Sequence, residues 1–302
     1  CQYSHPGWEP KRVAARVVLA NRAAWTHHDN MNSNSAIKAE VSYLRPGEEK
    51  PVYIASQGGA DAALSIGAEF DQHQVNIEDA RLLNPPASLD VQGFCLVPHD
   101  TVVENFYALE SQRAAYEAEI RALVLDATGA ASALVFDHTL RSDSRKVRGR
   151  HSTREPASVI HNDYTDASAA KRLCDLLPGD AAQRRLNQRF AIVNVWRSIN
   201  GPVLRSPLAI CDFSSAVQGD FVASERRAKE RIGELELVTY NPEHRWYYFS
   251  EQQFNEALLL KTFDSALDGR ARRVAHTAFT NPQAPTDAPP RESIESRLMV
   301  FF

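Results

Sequence analysis

The chain has 302 residues, is 43% hydrophobic and 24% charged, and carries a formal net charge of −4. That length suits one large domain or two small ones. The composition is that of an ordinary globular protein with no broad basic field, so nucleic acid is not an expected partner. No apolar run approaches the roughly 18 residues of a membrane span, so no membrane partner is expected either. No signal peptide is visible, and Cys1 is given no role. Cys95, Cys174 and Cys211 are scattered without a C-x-x-C pair. That spacing argues against a disulfide framework or a thiolate zinc site and fits a reducing cytoplasm.

Residues 1–50 read as polar and irregular, with Trp8, Trp25 and the cluster His27-His28-Asp29-Asn30. Adjacent histidines on a strand face opposite ways, so that cluster reads as a solvated loop rather than a chelating pair. Pro51 to Ala55 predicts a short strand, and Gly58-Gly59 a turn. Ile77 to Leu83 reads as a strand or an irregular edge, and Gly93 to Val97 as a buried strand stopped at Pro98. Tyr107 to Leu125 is the clearest helix, because its apolar residues recur in a 3–4 rhythm. Ala133 to Phe136 reads as a strand. Arg141 to Arg150 is strongly basic and reads as a solvated loop, with an anion-attracting cover over a site as the other reading.

The apolar run Pro156 to Ile160 leads into His161-Asn162-Asp163. Asp166 to Leu177 and Ala181 to Arg189 predict helices. Phe190 to Arg197, Leu208 to Asp212 and Val274 to Phe279 predict strands. Leu235 to Tyr240 and Arg245 to Phe249 read as a pair across the turn Asn241 to His244, and Ala228 to Glu234 as a charged loop or short helix. Gln253 to Ser265 suits a buried strand as well as a helix. A Pro-rich loop, Asn281 to Pro290, precedes the alternating final strand, Arg291 to Phe302. Many short strands with turn signals between them predict a sandwich or barrel. Dinucleotide and nucleoside-triphosphate readings lose their support, because there is no G-x-G-x-x-G and no P-loop.

On a strand, His161 and Asp163 share a face. A neutral imidazole and a carboxylate converging on a point make two thirds of a 2-His-1-carboxylate triad, which holds iron(II) and leaves coordination positions open. His276 is the candidate third ligand. A double-stranded β-helix (a jelly roll, cupin-like), mainly β with flanking α-helices, brings such strands together at its mouth. If a 2-oxoacid is the cosubstrate, its far carboxylate needs a cation, and arginine's planar fork suits it. Arg291 and Ser293 form R-x-S on one face, and Arg297 shares that face. Arg291 is the first candidate for the clamp and Arg297 the second. Trp196 and Arg197 are candidate substrate-binding residues on opposite faces of their strand. Lys261 and Asp264 read as a structural ion pair.

The order H-x-D, distal His, R-x-S resembles the iron(II)/2-oxoglutarate-dependent dioxygenases. Longer stretches resemble their AsaB-type hydroxylase/desaturase branch, which includes cephamycin 7α-hydroxylase-like and gibberellin-desaturase-like proteins. These are His161 to Thr165, Asn194 to Val203 with Pro207 to Asp212, Leu259 to Ser265, His276 to Phe279 and Pro289 to Arg297. They cover most of residues 156–302, and residues 1–90 carry little of the resemblance. The resemblance implies a catalytic domain over 91–302 with residues 1–90 packed on it as an extension. It implies iron(II) on His161, Asp163 and His276, 2-oxoglutarate held by Arg291, and dioxygen as co-reactant. The implied reaction oxidises an unactivated C–H bond of a small secondary metabolite by hydroxylation, desaturation or ring formation. A pathway-enzyme partner is implied by the habit of the cephamycin relative, and a homo-oligomer stays open beside it. The separation of His276 and Arg291 exceeds what is usual in the superfamily, which keeps Arg297 open as the clamp. Two other readings of the same residues are a zinc hydrolase using the His/Asp/His set and a non-catalytic β-barrel that binds small molecules.

Overall fold

Three segments in the second half of the chain, Phe190–Ser198, Glu256–Asp264 and Glu292–Phe301, form strands buried on both faces. They lie in a structure dominated by two sheets. The computed structural model describes residues 36–47, 50–228 and 231–302. The strands are β1 (Ala36–Leu44), β2 (Val52–Ile54), β3 (Ser65–Gly67), β4 (Phe70–Asp79), β5 (Phe94–Pro98), β6 (Ser132–Ser142), β7 (His161–Asn162) and β8 (Phe190–Ser198). They continue as β9 (Leu208–Cys211), β10 (Phe221–Ala228), β11 (Arg231–Val238), β12 (Trp246–Tyr248), β13 (Glu256–Asp264), β14 (His276–Ala278) and β15 (Glu292–Phe301). The helices are α1 (Arg113–Thr128), α2 (Arg145–His151), α3 (Asp166–Leu176) and α4 (Gly179–Leu186).

The smaller sheet has the order β5-β13-β8-β15-β6, and the larger β1-β4-β12-β9-β14-β7-β11-β10-β2-β3. One face of the smaller sheet, including Val193, Val195, Leu259, Ile294 and Leu298, packs on α1 through Tyr116, Ile120 and Val124. Those three helix residues recur every four positions and are fully buried, each worth about 1.5–3 kcal/mol of apolar burial. Ile192, Phe263 and Met299 pack against α3 and α4. The predicted fold, mainly β with flanking helices and a jelly-roll core, is the fold observed.

Several local expectations are corrected. Ala36–Leu44, read as irregular, is a strand paired along its length with β4, and its alternate residues Ile37, Ala39, Val41 and Tyr43 are buried. The His27–Asn30 cluster lies outside the described residues. The basic segment after Arg141 is the end of β6 followed by α2, whose start is capped by Ser144 accepting from the Val147 N–H. The charged stretch before Leu235 belongs to the β10–β11 hairpin, which backbone pairing holds together while Ile232 stays exposed. Asn241 to His244 does not close a hairpin. It carries the chain away from β11 to β12, where Trp246 pairs with Ile77 of β4 and Cys211 of β9. Burial of Trp246, with its indole N–H donating to the Tyr43 hydroxyl at 2.8 Å, outweighs the turn signal.

Candidate metal centre and cosubstrate cavity

β7 is only two residues long, yet it is held from both sides. His161 pairs with Leu237 of β11 and with His276 of β14. Residues directly opposite across an antiparallel pair project on the same side. The two imidazoles therefore stand together, with centroids 4.5 Å apart and planes at 48°. Their neighbours Ile160 and Ala275 point the other way, into a core cluster with Ile37, Val41 and Trp246. Asp163, two residues on from His161, returns to the histidine face. One ligand atom from each of His161, Asp163 and His276 lies within 4.8 Å of the others.

The local backbone explains this aim. Immediately after Asp163, Thr165 caps α3: its hydroxyl accepts from the Ser168 N–H at 3.0 Å and its own N–H donates to Ser168 Oγ at 3.0 Å. On the other ligand strand, Gly93 at φ 90° approaches the segment leading into β14. A Cβ there would lie 3.3 Å from the Val274 Cβ, a contact that only glycine avoids while also tolerating the left-handed backbone.

The hydrogen bonds fix which atoms face inward. His161 Nδ1 lies 2.9 Å from the Val159 carbonyl oxygen, and His276 Nδ1 lies 3.2 Å from that of Val274. A carbonyl only accepts, so each Nδ1 carries the proton and each Nε2 keeps its lone pair. Burial pushes the His161 imidazole down to about 3, so it is neutral at ordinary pH. Burial opposes ionisation of Asp163, but the Arg297 charge beside it wins and holds the carboxyl well below the usual range. Asp163 Oδ2 accepts from Asn194 Nδ2 at 2.7 Å and from Arg297 Nε at 3.0 Å. Its Oδ1, 3.9 Å from His161 Nε2, faces the imidazoles. Two neutral nitrogens and one carboxylate oxygen make a donor set that fits iron(II).

Beside these residues lies a cavity between the sheets, lined by Ala157, His161, Trp196, Leu208, His276, Arg291 and Glu295, with Arg141 at its edge. Arg291 is 3% exposed. It donates from Nη1 to the Ser206 carbonyl at 3.0 Å and from Nε to Ser293 Oγ at 3.3 Å. Its guanidinium sits 4.9 Å from the centre of the Trp196 ring. Burial and the charge of Arg141 pull Arg291 down to about 9, which leaves it a cation at neutral pH. Among the described residues it makes no ion pair. A cation in a narrow cavity beside the metal donors fits a dicarboxylate cosubstrate.

The structure brings Trp196, Arg291 and Ser293 to this cavity or against it. It does not bring Arg197, which is fully buried on the opposite face of β8. There Arg197 donates to the carbonyl oxygens of His99 at 3.0 Å and Phe254 at 2.5 Å, so neither a substrate nor Asp212 is its partner. Asp212 pairs with Arg245. Arg297 is taken up by Asp163, Asp137 and Glu295. Lys261 and Asp264 form the structural pair expected of them, at 3.2 Å. Glu295, Asp137 and the role of Asn194 in holding Asp163 were not singled out from the sequence. Glu295 was readable, since Arg291, Ser293, Glu295 and Arg297 alternate along one face.

A jelly roll that joins two histidines and a carboxylate to a cation-lined cavity defines a non-heme iron, 2-oxoacid-dependent oxygenase. Comparison with known proteins narrows the class. A family model described as an oxidoreductase/YMDC permease-like domain matches residues 41–301. The chain is 33% identical to the hydroxylase/desaturase efuI of Hormonema carpetanum, over 79% of this chain and 86% of that protein. It is also 33% identical to the Fe(II)/2-oxoglutarate-dependent dioxygenase nvfI of Aspergillus novofumigatus, over 90% of this chain and 99% of that one. A solved structure of the iron and alpha-ketoglutarate-dependent endoperoxidase NvfI superposes with a TM-score of 0.76 at 29% identity, covering 89% of this chain and 99% of that one. The chain belongs to the AsaB-type hydroxylase/desaturase family of iron(II)/2-oxoglutarate-dependent dioxygenases. It is an enzyme whose cofactors are iron(II), 2-oxoglutarate and dioxygen. No helix among the described residues is long and apolar enough to cross a membrane.

Proposed function

We propose that His161 and His276 through Nε2, and Asp163 through Oδ1, hold the iron(II), and that Arg291 steadied by Ser293 holds the far carboxylate of 2-oxoglutarate. The observation that carries this reading is the pair of Nδ1–carbonyl hydrogen bonds, which turn both Nε2 atoms toward Asp163 Oδ1. When bound, iron(II) and 2-oxoglutarate supply with dioxygen the oxidising power to remove hydrogen from an unactivated C–H bond, leaving succinate and carbon dioxide. The chain's own residues prepare that site. Asn194 and Arg297 occupy Asp163 Oδ2, so the carboxylate offers a single oxygen inward. Trp196 lies against Arg291 and excludes water from one wall of the cavity.

The substrate is a small secondary metabolite, and hydroxylation, desaturation and ring formation share the same first removal of hydrogen. All the proposed ligands fall within 91–302, which supports reading that span as the catalytic domain and residues 1–90 as an extension of it. The cytoplasm is the proposed compartment, because Cys95, Cys174 and Cys211 are free thiols. Dependence on a second copy or a pathway enzyme is read by co-purification.

The test is anaerobic titration of the metal-free protein with iron(II) and then 2-oxoglutarate, watched by visible absorbance. The expected result is a charge-transfer band that needs both additions and is absent in Asp163→Ala. A band that persists in Asp163→Ala would place the iron ligands elsewhere.

A further inference from the structure

A second cleft borders His161 and Asp163, and it carries more positive charge than the metal donors need. Arg141, Arg154 and Arg226 line it together with Tyr53, Glu155 and the two ligands. Two sheets build it. Arg226 of β10 stands in register with Tyr53 of β2, and Arg141 of β6 faces Arg154 across an isolated bridge. The three guanidinium groups sense one another: after burial, the charges of Arg141 and Arg226 do most to lower Arg154.

Asp137, which pairs with Arg297, offsets this group only from a distance. Among the described residues no ion pair is formed by Arg141, Arg154 or Arg226, whereas Arg297, which also borders the cleft, is surrounded by three carboxylates. The Arg141 side chain donates to a backbone carbonyl, that of Glu155, at 2.9 Å. Of the cleft's two acids, Asp163 is taken up by Arg297, and Glu155 has its Oε2 buried without a hydrogen-bond partner. Like charges gathered at a partly buried site and left unpaired are arranged for an anion that arrives from outside. The cavity holding Arg291 already accounts for the cosubstrate's carboxylate, and Arg154 and Arg226 do not line it.

We propose that this cleft is the substrate site and that the substrate carries an oxyanion, a carboxylate or a phosphate monoester, gripped by Arg154 and Arg226. The rest of the molecule then extends past His161 and Asp163, where the oxidation takes place. This inference rests on the reading of Arg291 as the cosubstrate clamp. Arg141 borders both cavities, so it is left out of the test.

The protein is loaded with manganese(II) and N-oxalylglycine, an isostere of 2-oxoglutarate, so that the cosubstrate cavity is filled. Naphthoate, naphthyl phosphate and methyl naphthoate are then titrated by fluorescence. At least one acid is expected to bind roughly tenfold or more tightly than the ester, and Arg154→Gln and Arg226→Gln each to weaken that acid by about tenfold. Affinities for manganese(II) and N-oxalylglycine are expected to stay at wild-type values in both variants, which also shows that they fold. The tighter of the two acids tells carboxylate from phosphate. Equal binding of acid and ester, no binding of either acid, or wild-type binding in both variants overturns the proposal. Loss of N-oxalylglycine affinity in either variant overturns it too, because these arginines would then belong to the cosubstrate site. The reading of Arg291 fails separately, through unchanged N-oxalylglycine affinity in Arg291→Gln.

Discussion

Arg291, just before the last strand, and Arg297, within it, stand an even number of residues apart, and both are buried, at 3% and 8% exposure. Their surroundings are opposite. Arg297 lies in register with Asp137 of β6 and Asn194 of β8, and it donates to Asp137 at 2.8 Å, Asp163 at 3.0 Å and Glu295 at 2.5 Å. Burial alone would weaken its charge, but Asp163, Glu295 and Asp137 hold it well above the usual arginine range. Arg291 precedes the strand, beyond the last paired position of β6, and meets a hydroxyl, a carbonyl and an aromatic face. The comparison teaches that face is set by spacing along one strand, while role is set by what the neighbouring strands place opposite. One arginine is the counter-ion of a metal ligand; the other is a cation left for a ligand.

The largest expected effect comes at the residue where the Arg297 end meets the metal site. Asp163→Ala removes an inward oxygen and should abolish 2-oxoglutarate-dependent succinate release. It leaves Arg297 with two carboxylates, so the thermal unfolding transition should remain cooperative. Wild-type succinate formation in this variant would show that the iron site is elsewhere. Next in size is Arg297→Gln. It strands buried carboxylates, and urea unfolding should show a loss of about 3–5 kcal/mol, with weaker iron(II) binding besides. Unchanged stability would mean that the three-acid cluster carries no weight. Arg291→Gln should do the reverse. Its stability should change far less than that of Arg297→Gln, while affinity for 2-oxoglutarate falls by about 10- to 100-fold, the value of a charge-assisted bidentate contact. If the two variants exchange these phenotypes, the assignment of clamp and counter-ion is reversed.

The contrast also marks what could be read from the sequence. The H-x-D triplet and the distal histidine were legible because period-two spacing and a few residue types define that donor set, and β7 and β14 place them face to face. The smaller sheet was legible in part, because Phe190 to Arg197 and Arg291 to Phe302 alternate as strands, while Gln253 to Ser265 suited a helix as well. What decides between Arg291 and Arg297 is the partner list, and that depends on the register of β6 and β8 against β15, which no single segment states. Arg197 illustrates the same limit: its alternation with Trp196 is correct, but its partners are carbonyls from loops distant in sequence. β1 and the tip of the β10–β11 hairpin were missed for another reason. Most of their outward residues are charged or polar, so they read as irregular until pairing is known. The arginine-lined cleft depends on β2, β6 and β10 meeting, a tertiary fact with no local signature.

The smallest effect sharpens the comparison from the Arg291 side. Ser293 is 1% exposed, and its Oγ accepts from Arg291 Nε at 3.3 Å, a long bond that orients the guanidinium without neutralising it. If Arg291 is a free cation aimed by its neighbours, Ser293→Ala should leave the charge in place and loosen its direction. Affinity for 2-oxoglutarate should then fall by about 1 kcal/mol, less than tenfold, with iron(II) affinity unchanged. Isothermal titration of the two ligands in turn separates these effects. A Ser293→Ala loss as large as that of Arg291→Gln would mean that the hydroxyl itself touches the cosubstrate. No loss at all would mean that the Ser206 carbonyl and the Trp196 face aim Arg291 by themselves.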